Sequence, residues 1–343
     1  MNIIKYPKKL KKGDIIGITA PSCSANLEKL DIAIKNIEKL GFKIVETKSV
    51  RNQAKCFVSA DGKTRAKEFI ELFLDDNIKH IICVRGGEFL IDMIPYLHEY
   101  KNEIENLKNI KYVQGYSDIS LLNFYLTTNY NIATMHAENI NDFWMKNLEK
   151  PVLNILDVIK GNYINNEFIQ ENYKKFQLNE YEEGNYNGYN LTEDVKYKIL
   201  NKKGSFKVSG RLIGGCIDVI TQLLGTKYDN TVNFCNNFNE GMIWYLDNCE
   251  LSFLEFYRRL TQMKNAGYFE KANCFLIGRT FVKESIDGFD MKAALKKALG
   301  NLNVPIIYDV DIGHVPPQFV LINGSYATVE YTNEKTLLMQ KFI

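Results

Sequence analysis

The chain has 343 residues, of which 45% are hydrophobic, so it is long enough to form two hydrophobic cores. Its 43 basic and 41 acidic residues give a formal net charge of +2, which argues against partners recognised by bulk charge, such as nucleic acid or an anionic membrane. We therefore expect a two-domain protein with a small-molecule partner.

The sequence gives no sign of a membrane span, a secretion signal or a bound metal. No apolar stretch approaches the roughly 20 residues that cross a bilayer, and residues 1–12 lack the apolar core of a signal peptide. The seven cysteines are scattered, mostly within apolar runs, which predicts reduced thiols in a cytoplasmic protein. There is no CxxC pair and the histidines are far apart, so we expect no metal site.

Strand-like and helix-like segments alternate through the first part of the chain. This alternation predicts an α/β fold with a parallel sheet, and we assign residues 1–165 to an N-terminal flavodoxin-like domain. Ligands bind at the carboxyl ends of such strands. Strands are expected at residues 15–18, 43–50, 80–84 and 110–114, and helices at residues 27–40, at residues 63–74 and directly after Ser117.

The middle of the chain turns polar, with a cluster of turn residues at 183–188, so we assign residues 166–205 to an interdomain connection. Residues 206–343 are predicted to form a C-terminal mixed β/α domain. Its expected strands are residues 242–246, 274–277 and 305–310. One expected helix ends near Leu224, and two others span residues 253–264 and 291–299. Near the C-terminus, residues 318–322 and 327–331 alternate like a hairpin joined by Asn323-Gly324.

Ser117 is the first candidate functional residue. It stands where the apolar segment 110–114 breaks on Gly115 and an apolar helical run begins. The unpaired N–H groups and the dipole of a helix N-terminus stabilise an alkoxide and a neighbouring oxyanion, which favours a nucleophile at this position. The alternative is that Ser117 or Asp118 simply caps the helix, since both residue types are preferred there.

A serine nucleophile requires a general base, and the chain contains four histidines. His314 is the strongest candidate, because it follows the predicted strand 305–310 in an irregular loop. His136 follows an apolar strand and is a second residue that could line the site. A packed, structural role is the alternative for both histidines. His80 and His98 are not well placed.

The acid that would orient the base has two candidates. Asp247 directly ends the predicted strand 242–246, whereas Glu250 lies three residues later and could instead open the following helix. We prefer Asp247. The serine motif departs from GxSxG, because Ile119 replaces the second glycine, which argues against an α/β-hydrolase fold. No GxGxxG follows a strand, so we expect no flavin or dinucleotide cofactor.

Five sequence blocks, in this order along nearly the whole chain, resemble the LD-carboxypeptidase family of serine peptidases. This family includes the muramoyltetrapeptide carboxypeptidases and the microcin C immunity peptidases. The blocks are residues 13–22, Arg85-Gly86-Gly87, residues 115–120, Gly214-Gly215 with residues 224–226, and Gly313-His314.

The resemblance implies that Ser117 is the nucleophile and His314 the general base. Asp247 falls where the family usually carries glutamate, so either its backbone lies closer to His314 or Glu250 reaches in. The backbone N–H groups of Asp118 and Gly87 would form the oxyanion hole. Two further expectations concern substrate binding. Arg85 either pairs with a substrate carboxylate or braces the glycine turn, and Glu88-Phe89 stands where many relatives have Tyr-Gly.

The implied activity is hydrolysis, through an acyl-enzyme, of the amide between an L-configured centre and a terminal D-amino acid in cytoplasmic muropeptides. A homodimer without a cofactor is expected. One alternative is a peptidyl-nucleotide amidase of the microcin C immunity type, which an aromatic stacking surface, with Trp244 or Tyr245 as candidates, would favour. The other is a non-catalytic two-domain binding protein, which predicts that Ser117 and His314 are far apart.

Overall fold

The computed structural model describes residues 3–53, 57–178, 186–283, 286–333 and 335–343. Two large sheets with helices packed against them dominate this part of the chain, which confirms the predicted α/β fold. Cys56 and residues 183–185 of the predicted turn cluster lie outside the described residues. No helix within the described ranges is both long and apolar enough to span a membrane.

The strands and helices follow one another along the whole chain. The strands are β1 (Ile15–Thr19), β2 (Lys43–Glu46), β3 (Ile78–Cys83), β4 (Tyr112–Gln114), β5 (Thr134–His136), β6 (Glu167–Glu171), β7 (Lys175–Phe176), β8 (Glu193–Asp194), β9 (Lys198–Leu200), β10 (Phe206–Cys216), β11 (Met242–Asp247), β12 (Ala272–Gly278), β13 (Ile306–Val310), β14 (Leu321–Asn323), β15 (Tyr326–Tyr331) and β16 (Thr336–Lys341). The helices are α1 (Leu27–Lys39), α2 (Gly62–Leu74), α3 (Ile94–His98), α4 (Lys101–Glu105), α5 (Ile119–Tyr130), α6 (Lys150–Lys160), α7 (Ile217–Ile220), α8 (Thr231–Asn236), α9 (Phe253–Asn265) and α10 (Met291–Leu299).

The first sheet has the strand order β2-β1-β3-β4-β5, with all five strands parallel, and β14 added antiparallel at the β5 edge. The order 2-1-3-4-5 is that of flavodoxin-like domains, as predicted. The strand order reverses between β1 and β3. A crevice therefore opens at their carboxyl ends, where the loops that follow β1 and β3 emerge.

The second sheet is mixed, as predicted. Its order is β6-β16-β15-β10-β11-β12-β13-β9, and its central strands β10 to β13 run parallel between antiparallel neighbours. β11 is buried over all 6 of its residues, because helices or the neighbouring sheet cover both of its faces. The outer strands β6 and β9 come from the residues that we assigned to the interdomain connection.

The C-terminal hairpin predicted around Asn323-Gly324 is wrong. β14 pairs with β5 of the first sheet, whereas β15 pairs with β10 and β16 of the second. The hairpin at this end of the chain is instead formed by β15 and β16. Alternation of apolar residues reports which side chains are buried but does not identify the neighbouring strand. The strand predicted at residues 43–50 is also shorter, because a 3-10 helix begins at Lys48.

The buried side chain of Asn323 ties the two sheets together. Its Oδ1 accepts hydrogen bonds from the backbone N–H of Gly214, at 3.0 Å, and from the hydroxyl of Tyr245, at 2.9 Å. Its Nδ2 donates to Thr134 Oγ1 at 3.3 Å. Gly214 and Tyr245 belong to the second sheet and Thr134 to the first, so one amide fixes the relative position of both sheets.

Replacing Asn323 by leucine should destabilise the protein by about 2 kcal/mol or more, because the Gly214 N–H and the Tyr245 hydroxyl would be left buried without this acceptor. The free energy of unfolding in urea measures this effect. Asn147, an exposed asparagine, provides the matched control Asn147→Leu, for which we expect little change. Equal unfolding midpoints for both variants would show that the amide contributes nothing to the contact between the sheets.

Candidate active site

Ser117 lies in a strained backbone conformation between β4 and α5. Its φ of 62° falls in the left-handed region, which non-glycine residues rarely adopt. The residue is half-buried. The N-cap of α5 is Asp118, and its side chain makes no capping hydrogen bond, so the capping interpretation is wrong. The strain turns the Ser117 side chain away from a regular helix start, as in other sharp strand-to-helix turns that expose a hydroxyl.

The Arg85-Gly86-Gly87 turn packs directly against Ser117. A Cβ atom placed on Gly86 would lie 2.7 Å from both Cβ and Oγ of Ser117, and 3.1 Å from the backbone N of Asp118. Only glycine leaves room for this approach. Gly87, with a φ of 144°, faces Ser22 and Cys23 instead. The structure therefore brings two of the predicted loops together around one hydroxyl and the first N–H groups of α5.

The side chain of Asp118 holds these loops in place, a role that the sequence analysis missed. It is 1% exposed and accepts hydrogen bonds from Ser22 Oγ, at 2.5 Å, and from the backbone N–H of Leu90, at 3.0 Å. Burial raises the pKa of Asp118 to about 6, although both hydrogen bonds favour the carboxylate. The loops after β1, β3 and β4 are thus joined through one carboxyl group.

His314 is paired with Asp247 at the carboxyl end of the second sheet. His314 Nδ1 and Asp247 Oδ2 are 2.8 Å apart, and both side chains are buried. Glu250 is exposed, and its backbone N–H donates to Asp218, so of the two predicted acids Asp247 makes the bond. Burial opposes a charge on His314, but the charge and hydrogen bond of Asp247 outweigh it and raise the His314 pKa well above its ordinary value.

Gly313 allows the loop of His314 to pass close to Asp247, whose side chain is one methylene shorter than the glutamate usual in the family. Its φ is 84°, and a Cβ atom placed on it would lie 1.9 Å from Asp247 Oδ1. No other residue type fits this position. The sequence block Gly313-His314 places a glycine beside the histidine, but only the structure shows that this glycine packs directly against the carboxylate of Asp247.

Tyr116 lies between the turn that carries Ser117 and the two histidines His314 and His136. Its ring centroid lies 5.2 Å from that of His314 and 6.2 Å from that of His136. Because Tyr116 directly precedes Ser117, the turn that carries the serine adjoins the loop that carries His314. Arg85 is half-buried where the glycine turn begins.

The other three histidines have structural surroundings. His136 is fully buried with Nδ1 3.3 Å from Ser120 Oγ, and burial, with the nearby charge of His314, lowers its pKa to about 3. His80 bonds Gln114, and burial lowers its pKa to about 4. His98 Nδ1 lies 2.9 Å from the hydroxyl of Tyr125. Of the two candidates for the base, His314 alone has a carboxylate partner.

One cluster in the described part of the chain brings three metal-ligand residue types together, with atoms of Cys216, Asp247 and His314 within 4.8 Å of one another. Sequence spacing could not reveal it, because the pairing of β10 with β11 sets Cys216 opposite Asp247. We assign it no metal, since Nδ1 of His314 and Oδ2 of Asp247 are already joined by a hydrogen bond. The six described cysteines are free thiols, as predicted for them.

Comparisons with known proteins identify the family to which both halves of the chain are similar. Residues 16–137 match the model of the LD-carboxypeptidase N-terminal domain, and residues 209–329 match that of the LD-carboxypeptidase C-terminal domain. A probable murein peptide carboxypeptidase of Bacillus subtilis is 24% identical over 97% of this chain and 94% of its own.

Two solved structures share the fold across nearly the whole chain. An MccF-like protein of Bacillus anthracis superposes with a TM-score of 0.81 at 23% identity, covering 98% of this chain and 99% of its own. The protein MccF in complex with glutamyl sulfamoyl guanosine gives a TM-score of 0.82 at 19% identity, covering 98% of both chains.

Replacing Gly313 by alanine should separate His314 from Asp247, because the new methyl group would overlap the carboxylate. We expect the pKa of His314 to fall, since burial then acts without its counterion. A raised pKa in the folded state stabilises the protein below the unfolded value of about 6.5, and this contribution is lost as the pH rises through the folded value. The stability loss in Gly313→Ala should therefore be larger at pH 6 than at alkaline pH.

NMR titration of the His314 ring and urea unfolding measure these effects. Gly204→Ala is the matched control, because Gly204 has a φ of 67° but nothing within 4 Å of the added methyl group. It shares the backbone strain without the overlap. An unchanged His314 pKa in Gly313→Ala would contradict the interpretation.

Proposed function

Because this chain belongs to the LD-carboxypeptidase family of serine peptidases, we propose that it hydrolyses the amide between an L-configured residue and a terminal D-amino acid, converting murein tetrapeptide to tripeptide. The observation that carries this proposal is the 2.8 Å bond between His314 and Asp247 in the loop beside the strained Ser117 turn. The murein-peptide relative supports the substrate class. We place the reaction in cytoplasmic peptidoglycan recycling, by a homodimeric enzyme without a cofactor.

In the proposed mechanism, Asp247 holds His314 through Nδ1, which leaves Nε2 to accept the proton of Ser117. Oγ of Ser117 attacks the scissile carbonyl carbon. His314 then gives the proton to the departing amine of the D-amino acid, and an acyl-enzyme remains. A water molecule, deprotonated by His314, attacks the acyl-enzyme and releases the peptide, and Ser117 regains its proton. The nucleophile belongs to residues 1–165, and the acid and base to residues 206–343.

The backbone N–H groups of Asp118 and Gly87 are the proposed donors to the oxyanion. The close packing of Gly86 against Ser117 supports this assignment, because it brings the glycine turn to the serine hydroxyl. The bonds that Asp118 accepts from Ser22 and Leu90 would keep the donors fixed during the reaction. Each such donor contributes a factor of about 10²–10³ to the rate in serine hydrolases.

Three acidic residues, Glu88, Asp218 and Glu250, form what we call the acidic rim, and they suggest how the substrate is oriented. Partial burial and the carboxylates of Glu250 and Asp218 raise the pKa of Glu88, so these acids lie near one another. We propose that Arg85, beside this acidic rim, pairs with the carboxylate of the leaving D-amino acid; bracing of the glycine turn is its alternative role. Glu250 is then a rim residue and not a partner of His314.

Neither alternative function gains support from the residues that would carry it. Trp244 and Tyr245 are completely buried, so they do not provide a stacking surface for a nucleotide. A non-catalytic binding protein predicted a wide separation of the serine and histidine loops, whereas the Tyr116 and His314 rings are in contact. We therefore favour muropeptide hydrolysis over cleavage of a peptidyl-nucleotide amide.

The direct test is release of D-alanine from murein tetrapeptide. We expect release by the wild-type protein, and a decrease of at least about 10³-fold in kcat for Ser117→Ala and for His314→Ala. Absence of release by the wild type would overturn the carboxypeptidase proposal, and equal release by Ser117→Ala would overturn the nucleophile assignment. Faster cleavage of an aminoacyl sulfamoyl nucleoside than of the tetrapeptide would favour the nucleotide alternative.

The pH profile tests the role of Asp247. His314 must be neutral to accept a proton, so kcat/KM should rise with pH through the raised pKa of His314. In Asp247→Asn the counterion that raises this pKa most is gone while burial still lowers it, so the rising limb should move to lower pH. The plateau should fall by roughly 10²–10⁴ because the imidazole is no longer held in the right tautomer. If the rising limb of the kcat/KM profile lies at the same pH in the wild type and in Asp247→Asn, the proposed effect of Asp247 on His314 is contradicted.

A further inference from the structure

A small cavity opens beside His314, and the proposed mechanism does not use it. The residues that line it include three rings and three side chains with a carboxyl or amide group, namely Tyr116, Tyr189, His314, Glu138, Asp142 and Gln318. Its volume for the centre of a water-sized molecule is about 10 Å³. This is room for a single group of that size, since roughly 10–15 Å³ holds one water molecule.

The side chain of Glu138 has no hydrogen-bond partner within the described residues. Its side chain is 2% exposed, and neither carboxyl oxygen accepts a hydrogen bond. Oε1 of Gln318, which is 3% exposed, has no hydrogen-bond partner either. Buried polar atoms of folded proteins are nearly always hydrogen-bonded, so two such residues on one cavity indicate that a donor from outside the chain occupies it.

The carboxyl groups of two residues, Glu138 and Asp142, belong to the lining of this one small cavity, so a positively charged donor suits it better than a neutral one. Burial raises the pKa of Glu138 well above its ordinary value, and the neighbouring carboxylate of Asp142 raises it further. A cation in the cavity would restore the ionised form and bond its oxygens. A water molecule could fill the same space but would not offset two buried acids.

The size and position of the cavity narrow the choice of cation. A primary ammonium group has the volume of a water molecule and three N–H donors, whereas a planar guanidinium group is larger. A metal ion is less suited, because the three-ligand cluster of the described chain lies at Cys216 and not here. Because His314 borders the cavity, a group held there would belong to a molecule undergoing reaction.

We propose that Glu138 binds a primary ammonium group of the substrate and thereby selects peptides that carry such a group close to the scissile amide. This inference rests on the proposed function and names the specificity of the same site. The ammonium group can come from two sources, the side chain of the residue that supplies the scissile carbonyl or the α-amine of that residue.

Three dipeptides ending in D-alanine separate these sources. N-acetyl-L-lysyl-D-alanine carries only the side-chain amine, L-norleucyl-D-alanine carries only the α-amine, and N-acetyl-L-norleucyl-D-alanine carries neither. The wild type should cleave one of the first two with a kcat/KM about 30-fold or more above that of the third, as for a desolvated charge pair. The amine-bearing peptide that gains this advantage identifies the source.

Glu138→Gln should lose this preference, so that its kcat/KM on the preferred amine-bearing peptide falls to that on the peptide without an amine. Glu138→Met, which is of similar size and buries no unpaired polar atom, should behave in the same way and guards against a folding defect of the glutamine variant. Glu103→Gln, at an exposed glutamate of α4, is the matched control and should keep the preference. Thermal unfolding confirms that each variant is folded.

The outcomes separate this inference from the function on which it rests. Equal rates on all three peptides in the wild type would overturn the ammonium site and leave the peptidase proposal standing. A preference that persists in both Glu138 variants would also overturn the ammonium site. So would an equal loss of kcat/KM on all three peptides in these variants, because it would show that Glu138 has a structural role and that bound water fills the cavity. Release of D-alanine from none of these peptides or from murein tetrapeptide would overturn both proposals.

Discussion

The pairing of β14 with β5 is the constraint on which the arrangement of the candidate site depends. β14 belongs by sequence to the C-terminal half, yet it forms the edge of the first sheet. His314 lies only seven residues before β14 begins, so this crossing draws its loop over the first sheet, next to the turn of Ser117. Asn323, the last residue of β14, then fixes the second sheet to the same point through Gly214 and Tyr245. The crossing strand thus brings Ser117, at the end of a strand of the first sheet, towards Asp247 and His314 of the second sheet.

Two glycines provide the close contacts that this arrangement needs. Gly86 leaves room for the hydroxyl of Ser117, and Gly313 leaves room for the carboxylate of Asp247. In both places a backbone segment of one loop packs directly against a side chain from another part of the chain. Because an added methyl group would overlap in either case, the site is assembled by steric fit as much as by hydrogen bonds. Asp118 adds the electrostatic part, since its buried carboxyl group joins three loops.

The fold class could be predicted from the sequence, and Ser117, Asp247 and His314 could be named as candidates, but the contacts that surround these three residues could not. Alternating strands and helices predicted the parallel sheets. The ends of predicted strands made Ser117, Asp247 and His314 candidates, because ligands bind where parallel strands end. The partner of β14 was not predictable, since alternation encodes burial and not pairing. Three features depend on contacts between residues far apart in the chain. They are the hydrogen bonds that Asp118 accepts, the close approach of Gly313 to Asp247, and the burial of the Glu138 side chain without a hydrogen-bond partner. No local pattern encodes such contacts.

The crossing strand also limits how the protein can be divided. A fragment that stopped near residue 165 would contain β1 to β5 but not β14, and the N–H and C=O groups of Thr134, Met135 and His136 that face β14 would become an open sheet edge. Open edges of this kind recruit strands from other molecules. The N-terminal half expressed alone would therefore tend to self-associate, and adding a short peptide with the sequence of β14 would be the natural way to keep it monomeric.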